Sequence, residues 1–329
     1  MGHGGGGRLT QDLIDRIFRP AFDPSGVGTS HDGATMNPSP GRIVLTTDGH
    51  VISPIFFPGG DIGCLAVNGT VNDLLMCGAT PRWISAAFIL EEGFEISKLE
   101  RIVASMADAA VRCGVTIVTG DTKVVEKGKG DGVYIGMAGV GTVEHALTVE
   151  PRSIKPGDAI IVSGDVGRHG MAIMASREGV AFESPILSDC ASLLMPVRGL
   201  FEAGIEVHCL RDLTRGGLAT ALVELSESSR LSFAVRESQI PVVEAVRGAC
   251  ELFGLDPLYV ANEGRFVCFV PSHAASEAVR IMRLAGPATN PAIIGSVGDY
   301  GSSRVFVENV IGSERILDRL TGEQLPRIC

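Results

Sequence analysis

The residues of this chain that could do chemistry are mostly carboxylates set where turns begin. Asp32 (in His-Asp-Gly), Asp48 (in Asp-Gly-His), Asp121 (in Gly-Asp-Thr) and Asp212 lie beside glycine or at loop positions, and Asp73 lies on the polar edge of an apolar helical stretch. Magnesium is held by one or two carboxylates together with substrate phosphates and water, so several converging aspartates suit a magnesium-bridged triphosphate. Taken singly, each is equally a turn or cap residue, and spacing alone does not say whether they converge. Asp212-Leu-Thr-Arg-Gly-Gly217 is a second signal, because glycines such as Gly216 and Gly217 at a helix start expose amides to phosphate. A capped helix whose glycines permit close packing explains it as well. Lys123 and Glu263, flanked by small residues, are candidates for proton transfer. In Pro-Arg-Ile-Cys329 a thiol of pKa about 8.5 supplies some nucleophilic thiolate at neutral pH. Neither a P-loop nor a Gly-x-Gly-x-x-Gly fingerprint occurs in the sequence.

Short strands alternating with helices must position these groups. Residues 42–47 read as a strand that delivers Asp48 just past its end. Residues 61–77 read as a helix with Ile62, Leu65, Ala66, Val71, Leu74 and Leu75 on one face, Asn68, Asn72 and Asp73 off it, and Gly78 as its stop. Ser97-Lys-Leu-Glu100 opens a helix that ends at Gly114, and the strand at 115–118 hands Gly120-Asp-Thr-Lys123 to a loop. Further strands are expected at 83–90, 133–140, 158–162, 265–270, 292–294 and 304–307, with helices at 171–177 and 218–225. Two prolines and a glycine within 149–157 break any element and mark a domain boundary. The expected fold is α+β with two domains: a Gly-rich arm at 1–40, an N-terminal domain at 41–150, a C-terminal domain at 151–311 and a flexible tail at 312–329. The amphipathic segment at 10–18 belongs to the arm rather than to a core.

Bulk properties exclude several classes of function. The 28 basic and 38 acidic residues leave a net charge of −10, which argues against a general nucleic-acid or anionic-membrane surface. An anionic ligand must then be held locally by metal ions, amides or a few placed cations. No apolar run approaches the ~18 residues of a membrane span, and the Gly-rich start is no signal peptide, so a cytoplasmic location is expected. The eight cysteines contain no Cys-x-x-Cys pair and read mostly as reduced, buried small hydrophobes.

Several motifs together resemble one family. Pro58-Gly-Gly60, Asn68-Gly-Thr-Val-Asn-Asp-Leu74, Met76-Cys-Gly-Ala79, Gly120-Asp-Thr-Lys-Val124, Asp212-Leu-Thr-Arg-Gly-Gly-Leu-Ala219, Asn262-Glu-Gly264 and Pro-Arg-Ile-Cys329 are similar to the HypE family of hydrogenase maturation factors. That family belongs to the superfamily of aminoimidazole-ribonucleotide synthetase, selenophosphate synthetase and thiamine-monophosphate kinase. The resemblance implies a PurM-like architecture: a homodimer whose N-terminal halves pair into a β-barrel, with a C-terminal α/β sandwich and ATP held between domains. It implies that a carbamoyltransferase, HypF, loads Cys329. ATP-dependent dehydration would then give a thiocyanate, whose cyanide passes to the HypC–HypD scaffold for the [NiFe]-hydrogenase iron. Carried over by motif, Asp48, Asp73 and Asp212 would bind Mg²⁺ and ATP, with Asp32 and Asp121 near them, and Lys123 and Glu263 would move protons. A kinase or synthetase of the same superfamily would not need Cys329, and a thiol carrier would not need ATP.

Overall fold

Period-two alternation in residues 42–50, with Thr46 and Asp48 turned to one side and Ile43 and Leu45 to the other, builds the first strand of a half-covered sheet. The computed structural model describes residues 3, 7–23, 33–37, 40–180, 185–285, 290–301 and 303–319. Asp32, most of the N-terminal glycines and Cys329 therefore lie outside the described residues.

The chain opens with α1 (Arg8–Leu13), a π-helical turn (Ile14–Phe18) and α2 (Arg19–Phe22). Leu13, Ile17 and Phe18 are buried, and the Phe18 ring lies 4.8 Å from that of Phe88. The segment expected to be an arm is thus part of the core, because its apolar stripe has a sheet to pack on. There follow β1 (Arg42–His50), a short hairpin of β2 (Phe56–Phe57) and β3 (Gly60–Asp61), α3 (Ile62–Met76), β4 (Thr80–Glu91), α4 (Ile96–Cys113), β5 (Thr116–Val125) and β6 (Val133–Val143). The sheet order is β1-β6-β4-β5, antiparallel except for β4 and β5, which α4 connects.

Three expectations about this unit are corrected. Asp48 lies within β1 rather than past it, and Gly120 to Lys123 continue β5 instead of forming a loop, because β4 is long enough to pair with them through Glu91. α3 has no polar edge: 14 of its residues are buried, Asn68 and Asn72 among them. The reason is that the second unit packs against it. Asn72 donates to the Ala191 carbonyl (3.0 Å) and accepts from the Leu193 amide (2.9 Å), which satisfies a side chain that would otherwise be costly to bury.

The second unit comprises β7 (Asp158–Val162), α5 (Arg168–Glu178), α6 (Leu194–Glu202), β8 (Cys209–Asp212), α7 (Gly217–Ser229), β9 (Leu231–Arg236), α8 (Glu244–Phe253), β10 (Phe266–Pro271), α9 (Ala275–Leu284), β11 (Ala292–Tyr300), β12 (Val305–Glu308) and β13 (Glu314–Leu317). Seven strands run in the order β13-β12-β9-β11-β7-β10-β8, with β9 and β12 parallel. β7 is buried along its whole length, as the apolar run at 159–162 requires, and its buried first residue, Asp158, lies 2.7 Å from His208 Nδ1. One apolar cluster runs from the first sheet onto one face of this sheet, and a second lies under α7 on the other face.

The expectation of a tail swinging from Gly312 does not hold for its first residues. Glu314 to Leu317 pair with β12, Tyr259 Oη donates to the Asp318 carbonyl (2.9 Å), and Arg319 pairs with Glu227. The ten residues from there to Cys329 extend at most about 33 Å at ~3.3 Å each. Among the described residues no helix is long and apolar enough to cross a membrane.

Candidate active site

A cleft of ≈ 680 Å³ between the two sheets is lined by Asp48, Asp73, Asp212 and Glu263 together with His50, Arg211, Arg215 and Gly217. β1 turns Thr46, Asp48 and His50 toward α3, where Thr46 Oγ1 donates to Asp73 Oδ2 (2.9 Å) and His50 Nε2 lies 3.4 Å from Asp48 Oδ2. Gly69 on α3 leaves room there: a Cβ would come within 3.1 Å of the His50 ring and 3.5 Å of Asp48 Oδ2. From the other sheet, β8 ends on Asp212, held opposite Phe266 of β10.

Burial and neighbouring carboxylates disfavour the charges of Asp73 and Asp212. Burial, then the carboxylates of Asp73 and Asp48, push Asp212 up to about 6 against the pull of Arg211. Burial also raises Asp73, Asp48 adds to it, and the Thr46 hydroxyl offsets part of the effect. Burial lowers the His50 pKa more than Asp48 raises it, which keeps the ring neutral. Such a cluster gains from a bound cation. Among the described residues no group of three or more acidic, cysteine or histidine side chains is close enough to cage a metal unaided.

The glycines after Asp212 have a definite role. Gly216 and Gly217 both adopt left-handed backbone, and a Cβ on Gly217 would meet the Leu258 and Val260 carbonyl oxygens at 2.6 Å. Close packing of α7 on residues 258–260 is therefore what Gly217 permits. Its amide is already donated to Thr214 O (2.9 Å), and Gly216 does not line the cleft.

Glu263 is carried by a buried scaffold. Asn262, fully buried, accepts from the Gly167 amide (2.6 Å) and donates to the Leu213 (3.1 Å) and Val260 (3.0 Å) carbonyls. Asp189 accepts from the amides of Glu263 (3.2 Å) and Gly264 (3.0 Å), and Gly264 is pressed so close to Asp189 O that a Cβ would sit 2.0 Å from it. Nothing in the residue pattern had pointed to Asp189. Arg215 was legible within the quoted motif, and His50 by its two-residue spacing from Asp48.

Besides Gly216, the predicted residues Asp121 and Lys123 are not brought to this cleft. In the sheet register Asp48 sits opposite Met137, which is opposite Ala86, which is opposite Gly120, so this row faces α3. Asp121 and Lys123 belong to the alternate rows, with Ala87 and Ile89, and so point to the opposite face. Lys123 Nζ is exposed, 3.5 Å from Asp121 Oδ2.

Residues 30–143 match the AIR synthase related protein N-terminal domain and residues 155–308 the corresponding C-terminal domain. The chain is 49% identical over 329 residues to the carbamoyl dehydratase HypE of Azotobacter vinelandii, covering 100% of this chain and 96% of that one. It superposes with a TM-score of 0.95 on a crystal structure of the hydrogenase maturation protein HypE in complex with ATP, at 44% identity, covering 100% of this chain and 99% of that one. It superposes on HypE in a crystallised HypE–HypF complex with a TM-score of 0.81, at 44% identity, covering 95% of this chain and 100% of that one. With the same two domains, the same fold and nearly half the residues shared along its whole length, this chain belongs to the HypE family of AIR synthase-related proteins.

Proposed function

We propose that the protein is an ATP-dependent carbamoyl dehydratase that converts an S-carbamoyl group on Cys329 into a thiocyanate, the source of the cyanide ligands of the [NiFe]-hydrogenase iron. The observation that carries this reading is the convergence of Asp48, Asp73 and Asp212 with Glu263 on one cleft, in a chain similar along its whole length to a HypE crystallised with ATP. Asp48, Asp73 and Asp212 would hold magnesium, which would supply positive charge to offset that of the phosphates.

The chemistry follows from a poor leaving group. A carboxamide oxygen does not depart unaided, whereas the same oxygen carrying the γ-phosphoryl group leaves as phosphate. As that C–O bond breaks, the nitrogen loses both its protons and closes the C≡N bond. The balance is S-carbamoyl plus ATP to S-cyano plus ADP, hydrogen phosphate and one proton. Glu263, held rigidly between the Asn262 and Asp189 anchors, is the base we assign to the nitrogen proton. Glu263→Gln is expected to bind ATP like the parent and to slow dehydration by about 10²–10⁴-fold. Intact mass of the carbamoylated chain after ATP addition reads this directly. The parent adduct loses one water, and the variant retains its carbamoyl group. Loss of ATP binding in the variant would overturn the role. The same measurement separates the alternatives, since a small-molecule kinase leaves the chain unmodified and a carrier keeps the carbamoyl group whether or not ATP is present.

A homodimer with paired N-terminal sheets accounts for Lys123. The sheet face away from α3 exposes Leu45 (71%) and Ile89 (41%) in the same register rows as Lys123's face, a patch that calls for a partner. A second copy seated there would supply Asp121 and Lys123 from its own β5. Leu45→Glu is expected to sediment as a monomer and to lose dehydration while staying folded; a dimer of parental stability would rule out this face. The reading carries with it HypF, which is crystallised in a complex with a related HypE, as the carbamoyl donor, the HypC–HypD scaffold as acceptor, and a cytoplasmic location.

A further inference from the structure

α3 starts on Asp61, whose carboxylate accepts from the amides of Gly63 (2.7 Å) and Cys64 (3.0 Å). This cap fixes Cys64 in the first turn. Its sulfur accepts from the Asp61 amide (3.3 Å) and lies 4.0 Å from the sulfur of Cys190, 126 residues away in sequence. Asn68, one turn further along α3, donates to Cys190 Sγ (3.6 Å) and accepts from Cys113 Sγ (3.5 Å), which holds Cys190 over the helix. Both sulfurs of the pair line a cavity of ≈ 460 Å³ that also includes Gly59, Arg112 and Ser192. The cavity is separate from the acidic cleft, and the chemistry proposed above uses neither thiol.

We propose that Cys64 and Cys190 form a redox-active dithiol, oxidised reversibly to a disulfide between the two units by a small-molecule disulfide that enters this cavity. Cys64 attacks first. The hydrogen bond from Cys190 and the one from the Asp61 amide draw its pKa down to about 7, while the same contact and burial drive Cys190 well up. The Cys64 thiolate attacks one sulfur of the incoming disulfide, forming a mixed disulfide and releasing one thiolate. That thiolate takes the Cys190 proton, and the Cys190 sulfur attacks Cys64, expelling the second thiolate. Two protein thiols and one small disulfide thus become one protein disulfide and two small thiols. The sulfurs have to close from 4.0 Å to a bond of about 2.05 Å. Arg112 favours an oxidant bearing carboxylates. The bond would tie α3 to the strap containing Asp189, the acceptor of the Glu263 and Gly264 amides.

The test uses the full chain, reduced, then treated with glutathione disulfide, alkylated and digested without reductant. The expected product is a cross-link between the peptides bearing residues 64 and 190, lighter by two hydrogens than the separate peptides and undone by dithiothreitol. Cys190→Ser is expected to stop at a glutathione adduct on Cys64, Cys64→Ser to leave Cys190 unmodified, and Cys77→Ser to cross-link as the parent does. Alkylated Cys64 and Cys190 in the treated parent, or a persistent glutathione adduct on Cys64 with no cross-link, would overturn the proposal.

Discussion

Cys329→Ala is expected to fold, dimerise and bind ATP as the parent does and to form no thiocyanate at all. Seven other thiols are present in the chain. Burial pushes Cys209 up to about 12 and Cys250 up to about 11, and raises Cys113 and Cys268 as well, so none of these offers a thiolate at neutral pH. Cys64 is acidic but engaged with Cys190. Cys77 is the serious competitor, because it is exposed and lines the cleft. Partial burial and the Asp73 carboxylate raise its pKa and hold it as the neutral thiol. Cys77→Ser is therefore expected to remain active. Intact mass after incubation with a carbamoyl donor system and ATP decides between them. A carbamoyl or cyano adduct on Cys329→Ala would move the reaction to another sulfur and end the assignment.

Asp212→Asn is expected to do two opposite things: weaken Mg-ATP binding and stabilise the free protein. A unit charge pair at 4 Å in an effective dielectric of 20 is worth about 4 kcal/mol, and each 1.4 kcal/mol is tenfold. Removing one carboxylate from the Asp48–Asp73–Asp212 cluster should thus weaken magnesium-dependent ATP binding by roughly 10–10³-fold, read by calorimetry. The stabilisation comes from linkage. The folded pKa of Asp212, about 6, lies above an unfolded value of about 3.9, so the folded state holds the proton more tightly. Stability is then fully present below about pH 4 and is lost as pH rises through about 6, by up to about 3 kcal/mol. Asparagine never ionises. Denaturant melts without nucleotide at pH 8 should show the variant more stable by about 2–3 kcal/mol, with the difference vanishing below about pH 4. A variant less stable than the parent at pH 8 would mean that the fold does not raise the Asp212 pKa. Asp48→Asn and Asp73→Asn are expected to weaken Mg-ATP in the same sense.

Much of the candidate site was legible because its signals are local. The residue pattern marks Asp32, Asp48, Asp73, Asp121 and Asp212 alike, and Glu263 by its small neighbours; the family resemblance sets Asp48, Asp73 and Asp212 ahead of the other two aspartates, and these three line one cleft with Glu263. The glycines before α7 were legible too, but with two meanings. Their left-handed backbone and the carbonyl oxygens crowding Gly217 make its role one of close packing.

What sequence by itself determined, then, is the set of elements and the chemistry they could carry. Alternation sets which side chains share a face of β1, apolar content dictates that α3 is buried somewhere, and an acidic chain must hold an anion through metal or placed cations. Only the tertiary structure decided which faces meet. Local pattern cannot say that β5 runs on through Lys123, because that depends on the length of β4, a strand some 30 residues earlier. The pairing register then sends Asp121 and Lys123 to the face away from Asp48, since a shift of one residue exchanges the two faces. It likewise cannot say that residues 314–317 add an edge strand beside β12, or that Cys64 and Cys190 meet across 126 residues. These outcomes depend on contacts between distant segments, whose energies a short stretch of sequence does not contain.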